Sequence, residues 1–320
     1  NAPFPATGSW PIVAFGHGFV LSYTDYDLVC EHLASHGYIV INPDVQNGFN
    51  VSHLEFAREM SACLRYLMTV DNDVSSDFYQ RVDSLTGVYG HRMGGGASAL
   101  VHTVIPDIDA VAGLAAAESN PSAINALGSY TGPFLSISGT AANPTPEATN
   151  QQPMYNAVSG PKQWVSLQGA GHCGFTDGPT TCDLVSAAGT MPRDTIIYLG
   201  NTYILTFFDH HLKGKPYALD FICGDSVLAD ENRGRLVNTT NVNCNAVSVT
   251  PARENWKIGC APEGWTIWGQ GNIEIYDLQG RLRSQMLVRN RATFSTQQWE
   301  QGLYIIRTDD GTIFKAYNLR

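Results

Sequence analysis

From Trp10 to about Leu212, short apolar runs alternate with segments of helical period, as expected for a parallel sheet whose strands are joined by helical crossovers. The runs are 11–15, 38–42, 85–90, 110–116, 134–138 and 163–167. Between them, 25–36 behind the capping Thr24, 52–70, 95–104 and 151–157 read as helices, and a long helix follows over 193–212. After Cys244 the period shortens to two. Strands are expected over 265–268, 273–276, 285–288, 303–308 and 313–317, with turns at Gln279-Gly280 and Asp310-Gly311. The pattern predicts an α/β domain over residues 1–248, a parallel sheet flanked by helices, and a small all-β sandwich over 249–320.

The 320 residues are 43% hydrophobic and only 15% charged, enough apolar material for a sizeable core. The net charge of −10, with no basic run, lacks the footprint of a nucleic-acid binder. No apolar stretch approaches the roughly 20 residues that a membrane-spanning helix needs. The seven cysteines show no C-x-x-C spacing, which argues against zinc or a thioredoxin-type motif. Disulfides fit better, against the alternative of buried reduced thiols. Cys173 with Cys182 and Cys223 with Cys244 would close local loops, Cys30 and Cys63 could join neighbouring helices, and Cys260 is left over. Such pairing implies an exported, secreted or cell-surface protein, expected to be a monomer. The start at Asn1, without a charged-then-apolar leader, is read as a signal peptide removed or not included.

The strand at 85–90 runs into Gly90-His91-Arg92-Met93-Gly94-Gly95-Gly96 and an Ala-rich helix. This is the strand, sharp turn and helix of a nucleophile elbow, in which glycines let the backbone fold tightly enough to lift the middle side chain into a pocket. The middle residue is Arg92, a permanently protonated guanidinium with no lone pair to offer. Phe15-Gly16-His17-Gly18-Phe19 follows the first strand, where the Phe19 and Met93 amides would form an oxyanion hole. Gly171-His172 follows the 163–167 strand and places a candidate general base.

On these motifs and on Pro133-Phe134-Leu135-Ser136-Ile137-Ser138-Gly139, the chain over 10–182 resembles the α/β-hydrolase superfamily, in the branch of dienelactone-hydrolase-like esterases, cutinases and polyester (PET) hydrolases. The resemblance implies a Ser nucleophile at the position of Arg92, His172 as base and a triad acid at the position of Ala142, acting on small-molecule or polymeric esters without cofactor or metal. Two of those three positions are substituted here. The tail, with Ile275-Tyr276-Asp277-Leu278-Gln279-Gly280-Arg281 and Gly302-Leu303-Tyr304-Ile305-Ile306-Arg307, resembles the C-terminal sorting domains of type IX secretion, which would engage that export machinery. Members of the hydrolase family usually carry two strands before the one at 11–15, so a missing edge or a truncated chain is expected.

Glu118, in Ala115-Ala116-Ala117-Glu118-Ser119, stands where some α/β-hydrolases place their acid and is the alternative partner for His172; Glu147 is a weaker one, and a cap role is the competing reading for Glu118. Ser98 reads as a packed small residue and His17 as a support for the oxyanion loop. Asp209, His210 and His211 diverge around a helix end and read as solvated rather than as metal ligands. Arg92 is open to three readings at this point: natural loss of catalysis, a deliberately altered residue, or a different chemistry. Two functions follow, an ester-hydrolase scaffold inactive as written, and a secreted binding protein in which Arg92, His172 and the two amides hold a carboxylate or other anion.

Overall fold

The computed structural model describes residues 8–184, 186–242, 257–261, 264–277, 281–299, 302–309 and 313–318. By contact the chain divides into two units, Asn1–Cys244 and Asn245–Arg320.

The first unit is built on a seven-stranded sheet. In chain order its elements are β1 (Trp10–Gly16), α1 (Asp27–Ser35), β2 (Ile39–Ile41), α2 (His53–Val70), β3 (Val82–His91), α3 (Met93–Leu100), β4 (Ala110–Leu114), α4 (Ala123–Leu127), β5 (Phe134–Ala141), α5 (Gln151–Ala157), β6 (Lys162–Gly171), α6 (Arg193–His211), α7 (Asp220–Cys223), α8 (Asp225–Asn232) and β7 (Leu236–Thr240). The strand order is β2-β1-β3-β4-β5-β6-β7, parallel throughout except for β7, which runs antiparallel to β6. Alternation along the strands feeds two cores. Val13, Phe15, Tyr89, Leu135 and Ile137 pack under α1 and α6, while Ile12, Ala14, Val88, Val111 and Phe134 pack under α2 and α3. Local signals fix the helices as well: Ser52 caps α2 by accepting the Glu55 N–H at 3.2 Å.

Helix layers decide the cysteines. Cys173 and Cys182 are bridged, nine residues apart, a closure that restricts the unfolded chain by about 2–3 kcal/mol. Cys223 is disulfide-bonded, and its expected partner Cys244 lies outside the described residues. The pairing of Cys30 with Cys63 is corrected: both are free thiols, and the helices that carry them, α1 and α2, cover opposite faces of the sheet. Burial pushes the Cys30 thiol up to about 12.

The helix end at Asp209 also differs from expectation. Rather than meeting solvent, Asp209 is 6% exposed and accepts the hydroxyls of Tyr38, at 2.7 Å, and Tyr217, while Lys213 pairs with it at 3.5 Å. His211 packs its ring on Phe207. Among the described residues no cluster of three or more metal-ligating side chains occurs, and no helix is long and apolar enough to cross a membrane.

The second unit is antiparallel, with β8 (Lys257–Ala261), β9 (Gly264–Asp277), β10 (Leu282–Phe294), β11 (Gly302–Thr308) and β12 (Ile313–Asn318). The two runs expected at 265–268 and 273–276 are halves of the one strand β9. Its first half pairs with β8 and its second with β11, and β10 runs along both. Between the halves, Gly271 has φ +139° and leaves no room for a Cβ beside the Asp309 carboxylate. Trp265, Ile267, Ile273, Ile275, Trp299 and Tyr304 form this unit's own core.

Candidate active site

In a parallel sheet, loops leaving the carboxyl ends of the strands converge on one edge. Here those loops carry Phe19 after β1, Arg92 after β3, Glu118 after β4, Ala142 after β5 and His172 after β6. The elbow is a glycine contact. A Cβ on Gly94 would stand 2.0 Å from the Gly16 carbonyl oxygen, and one on Gly90 would stand 2.6 Å from that same oxygen. Only bare backbone lets α3 sit this close to the end of β1, and the contact is sealed by the Gly94 N–H donating to the His17 carbonyl at 3.1 Å.

Arg92 caps α3 with φ 51° and ψ −109°, a sparsely populated conformation that costs a non-glycine residue about 1–3 kcal/mol. Three backbone bonds over-determine it: its N–H donates to the Leu114 carbonyl, and its own carbonyl accepts from Gly96 and Ala117. The turn thus has the strand, sharp turn and helix expected at 85–96, with a guanidinium as its side chain. The guanidinium lies over the Phe19 ring, 5.3 Å from its centroid. Among the described residues no carboxylate lies within ion-pair distance of it, and burial lowers its pKa.

His172 is fully buried. Its Nδ1 lies 3.0 Å from Thr145 Oγ1, and its Nε2 has no hydrogen-bond partner in the protein. Burial first, and then the Arg92 charge, push its pKa down to about 3, so the imidazole is neutral near pH 7. Among the described residues no acid stands at Nδ1. Ala142 is buried and starts the turn that presents Thr145, whose N–H donates to the Ala142 carbonyl. Glu118 is turned away: its carboxylate accepts the Ile124 N–H at 3.1 Å at the start of α4, a cap. Glu147 accepts the hydroxyls of Ser138 and Ser166 on β5 and β6.

Neither the Phe19 nor the Met93 amide has an acceptor among the described residues, and Met93, as the first residue of α3, has none within the helix. His17, also fully buried, donates from Nε2 to the Val45 carbonyl at 2.6 Å and so ties down the loop after β1. Ser98 donates back to the Gly94 carbonyl inside α3 and does not reach the site.

One network escaped the sequence reading. His91 donates from Nε2 to the His172 carbonyl at 3.0 Å; Tyr26 donates its hydroxyl to His91 Nδ1 at 2.7 Å and accepts the Gly18 N–H at 3.0 Å. All are buried, so one chain of hydrogen bonds joins the loop after β1, the turn after β3 and the His172 loop. Tyr26→Phe strands the Gly18 donor and the His91 acceptor together. We expect a loss of about 1–3 kcal/mol in urea unfolding, with the m-value unchanged.

A profile of the PET hydrolase-like family matches residues 2–191. Over 163 residues, half of this chain, the sequence is 31% identical to Cutinase 2 of Thermobifida cellulosilytica and to Cutinase cut1 of Thermobifida fusca, and 29% identical to Cutinase est1 of Thermobifida alba. The alignments cover 59%, 49% and 52% of those proteins, so the chain spans about half the length of the curated relatives it matches. With more than half of its residues matched by the profile, the chain belongs to the PET hydrolase-like family.

Proposed function

We propose that this chain is a carboxylic-ester hydrolase scaffold without serine catalysis. The observation that carries the reading is the pairing at the elbow: a guanidinium occupies the position that would present the nucleophile, and a hydroxyl rather than a carboxylate faces His172 Nδ1. A Ser-His-acid site needs a base that becomes cationic as the nucleophile attacks. Arg92 opposes that charge and supplies no hydroxyl. The substrate class of the scaffold is an ester, small or polymeric, with Phe19 and Met93 as oxyanion donors. The tail over 249–320 is read as a sorting-type domain appended to a catalytic-type domain over 1–248, in a secreted or cell-surface monomer.

The expected result with p-nitrophenyl butyrate is turnover no faster than the residual roughly 10³–10⁴ over water left when triad members are removed from related chemistry. Steady-state assays on the purified chain and on an Arg92→Ala control check this; a native rate far above the control overturns it.

A second reading, a non-catalytic binding protein for carboxylate or other anionic ligands, is favoured by one further observation. His172 Nε2, the Arg92 guanidinium and two amides all lack acceptors among the described residues.

A further inference from the structure

We propose that His32 and His36, one turn apart at the end of α1, chelate a divalent transition-metal ion of the nickel, copper and zinc group through one nitrogen of each imidazole. The pair lies at the amino edge of the sheet. A Cβ on Gly37, the next residue, would stand 3.2 Å from the ring of Trp10, where β1 begins. The loops that carry Arg92 and His172 leave the opposite edge, so this site is separate from the one described above.

Three observations converge on the pair. Residues four apart on a helix share a face, and these two rings stand with their centroids 4.6 Å apart. A metal about 2.1 Å from one nitrogen of each ring, with the two bonds at right angles, holds the ring centroids on the order of 4.5 Å apart, so the spacing already suits chelation. Next, His36 Nδ1 lies 2.8 Å from the His32 carbonyl. A carbonyl only accepts, so the proton sits on Nδ1 and the lone pair on Nε2. A ring N–H held by a backbone carbonyl is the arrangement that orients metal-ligating histidines. Finally, neither ring nitrogen of His32 has a hydrogen-bond partner among the described residues. Burial, and then the neighbouring His36, lower its pKa, which keeps a lone pair available to a metal.

The donors set the class. Two neutral imidazoles suit nickel, copper and zinc, with water completing the shell, whereas magnesium, calcium and manganese take oxygen ligands. His36 is exposed and His32 half-buried, so an ion reaches the pair from solvent. Lys213, the cation beside this helix end, is already engaged: its ammonium pairs with Asp209 at 3.5 Å and donates to the His36 carbonyl at 2.7 Å, which places it on the backbone rather than on the rings. His210 and His211 also hold their rings 4.6 Å apart, yet they lack the remaining features. Adjacent residues diverge around a helix, no carbonyl holds either ring N–H among the described residues, and the His211 ring packs on Phe207.

Isothermal titration of the untagged full chain with nickel chloride tests the proposal, with calcium chloride as the comparison and circular dichroism confirming the fold of each variant. Nickel is expected to bind one to one and calcium not to bind. His32→Asn and His36→Asn should each weaken nickel by about tenfold or more, because a single imidazole no longer chelates. His210→Asn should leave nickel binding unchanged. Neither His32 nor His36 belongs to the buried core, and either variant carries the test if the other does not fold. Nickel binding unchanged in the folded His32→Asn or His36→Asn chain places the ion elsewhere and overturns the proposal, as does an equal weakening in His210→Asn. Absence of nickel binding to the native chain overturns it outright, and calcium binding as tightly as nickel overturns the transition-metal class.

Discussion

Arg92→Ser combined with Ala142→Asp is expected to create turnover of p-nitrophenyl butyrate well above the residual rate of the native chain. The scaffold retains what such a change needs: the elbow backbone is already in place, the Phe19 and Met93 amides have no acceptor among the described residues, and His172 is held through its carbonyl by His91. Arg92→Ser acts twice, since it supplies a hydroxyl and removes the cation that helps hold the His172 pKa near 3. Freed of that charge, His172 rises toward the range of a working base. Ala142→Asp alone should yield nothing, because no nucleophile is present. Arg92→Ser alone should fall short of the pair by about 10²–10⁴-fold in kcat, since Thr145 orients the ring but stabilises an imidazolium poorly. Glu118 is committed to α4, so it should not rescue the single variant; a fully active Arg92→Ser chain would return Glu118 to the role of acid.

Gly94→Ala is expected to be the most damaging single methyl in the first unit. The added carbon would meet the Gly16 carbonyl carbon at 2.2 Å and the Gly16 Cα at 2.7 Å, backbone that cannot swing aside as a side chain does. The elbow and β1 would have to part, breaking the Gly94 bond to His17 and moving the oxyanion loop with it. A loss of about 3 kcal/mol or more in guanidinium unfolding is expected, at the upper end of overpacking costs. Gly48→Ala, where a Cβ meets nothing within 4 Å, is the control and should change stability little.

The sequence made the sheet legible because buried parallel strands are unbroken apolar runs and the crossovers carry caps and helical period. The strands expected at 11–15, 85–90 and 163–167 became β1, β3 and β6, which run on to Gly16, His91 and Gly171 toward the loops that carry the candidate site. β7 was not foreseen: Leu236–Thr240 alternates around polar residues and pairs with a strand some seventy positions earlier, a register that only tertiary packing reveals. The runs expected at 265–268 and 273–276 are continuous in β9, where Gly271 marks a strand passing close to the Asp309 carboxylate. The Cys30–Cys63 pairing failed for a similar reason, since nothing in the spacing of two helices says on which face of the sheet each one packs.

The turns that carry the candidate site were legible, and the side-chain partners inside them were not. Gly90 to Gly96 announces an elbow by glycine spacing, and Gly171-His172 follows its strand. Thr145 carries no such mark: it is one of several small polar residues in a loop, distinguished only by the 3.0 Å between its hydroxyl and Nδ1. Tyr26 and His91 lie 65 residues apart and meet through folding alone. The one usable signal was the position itself, three residues after Ala142 in the loop where the acid was expected.

The central claim, that the elbow holds no nucleophile, is tested most directly by intact-mass measurement after incubation with a fluorophosphonate ester, which transfers its phosphonyl group to an activated serine with loss of fluoride. The native chain should keep its mass at every incubation time, and the Arg92→Ser, Ala142→Asp chain should gain one phosphonyl group. A native chain that gains one phosphonyl group stoichiometrically would contradict the account.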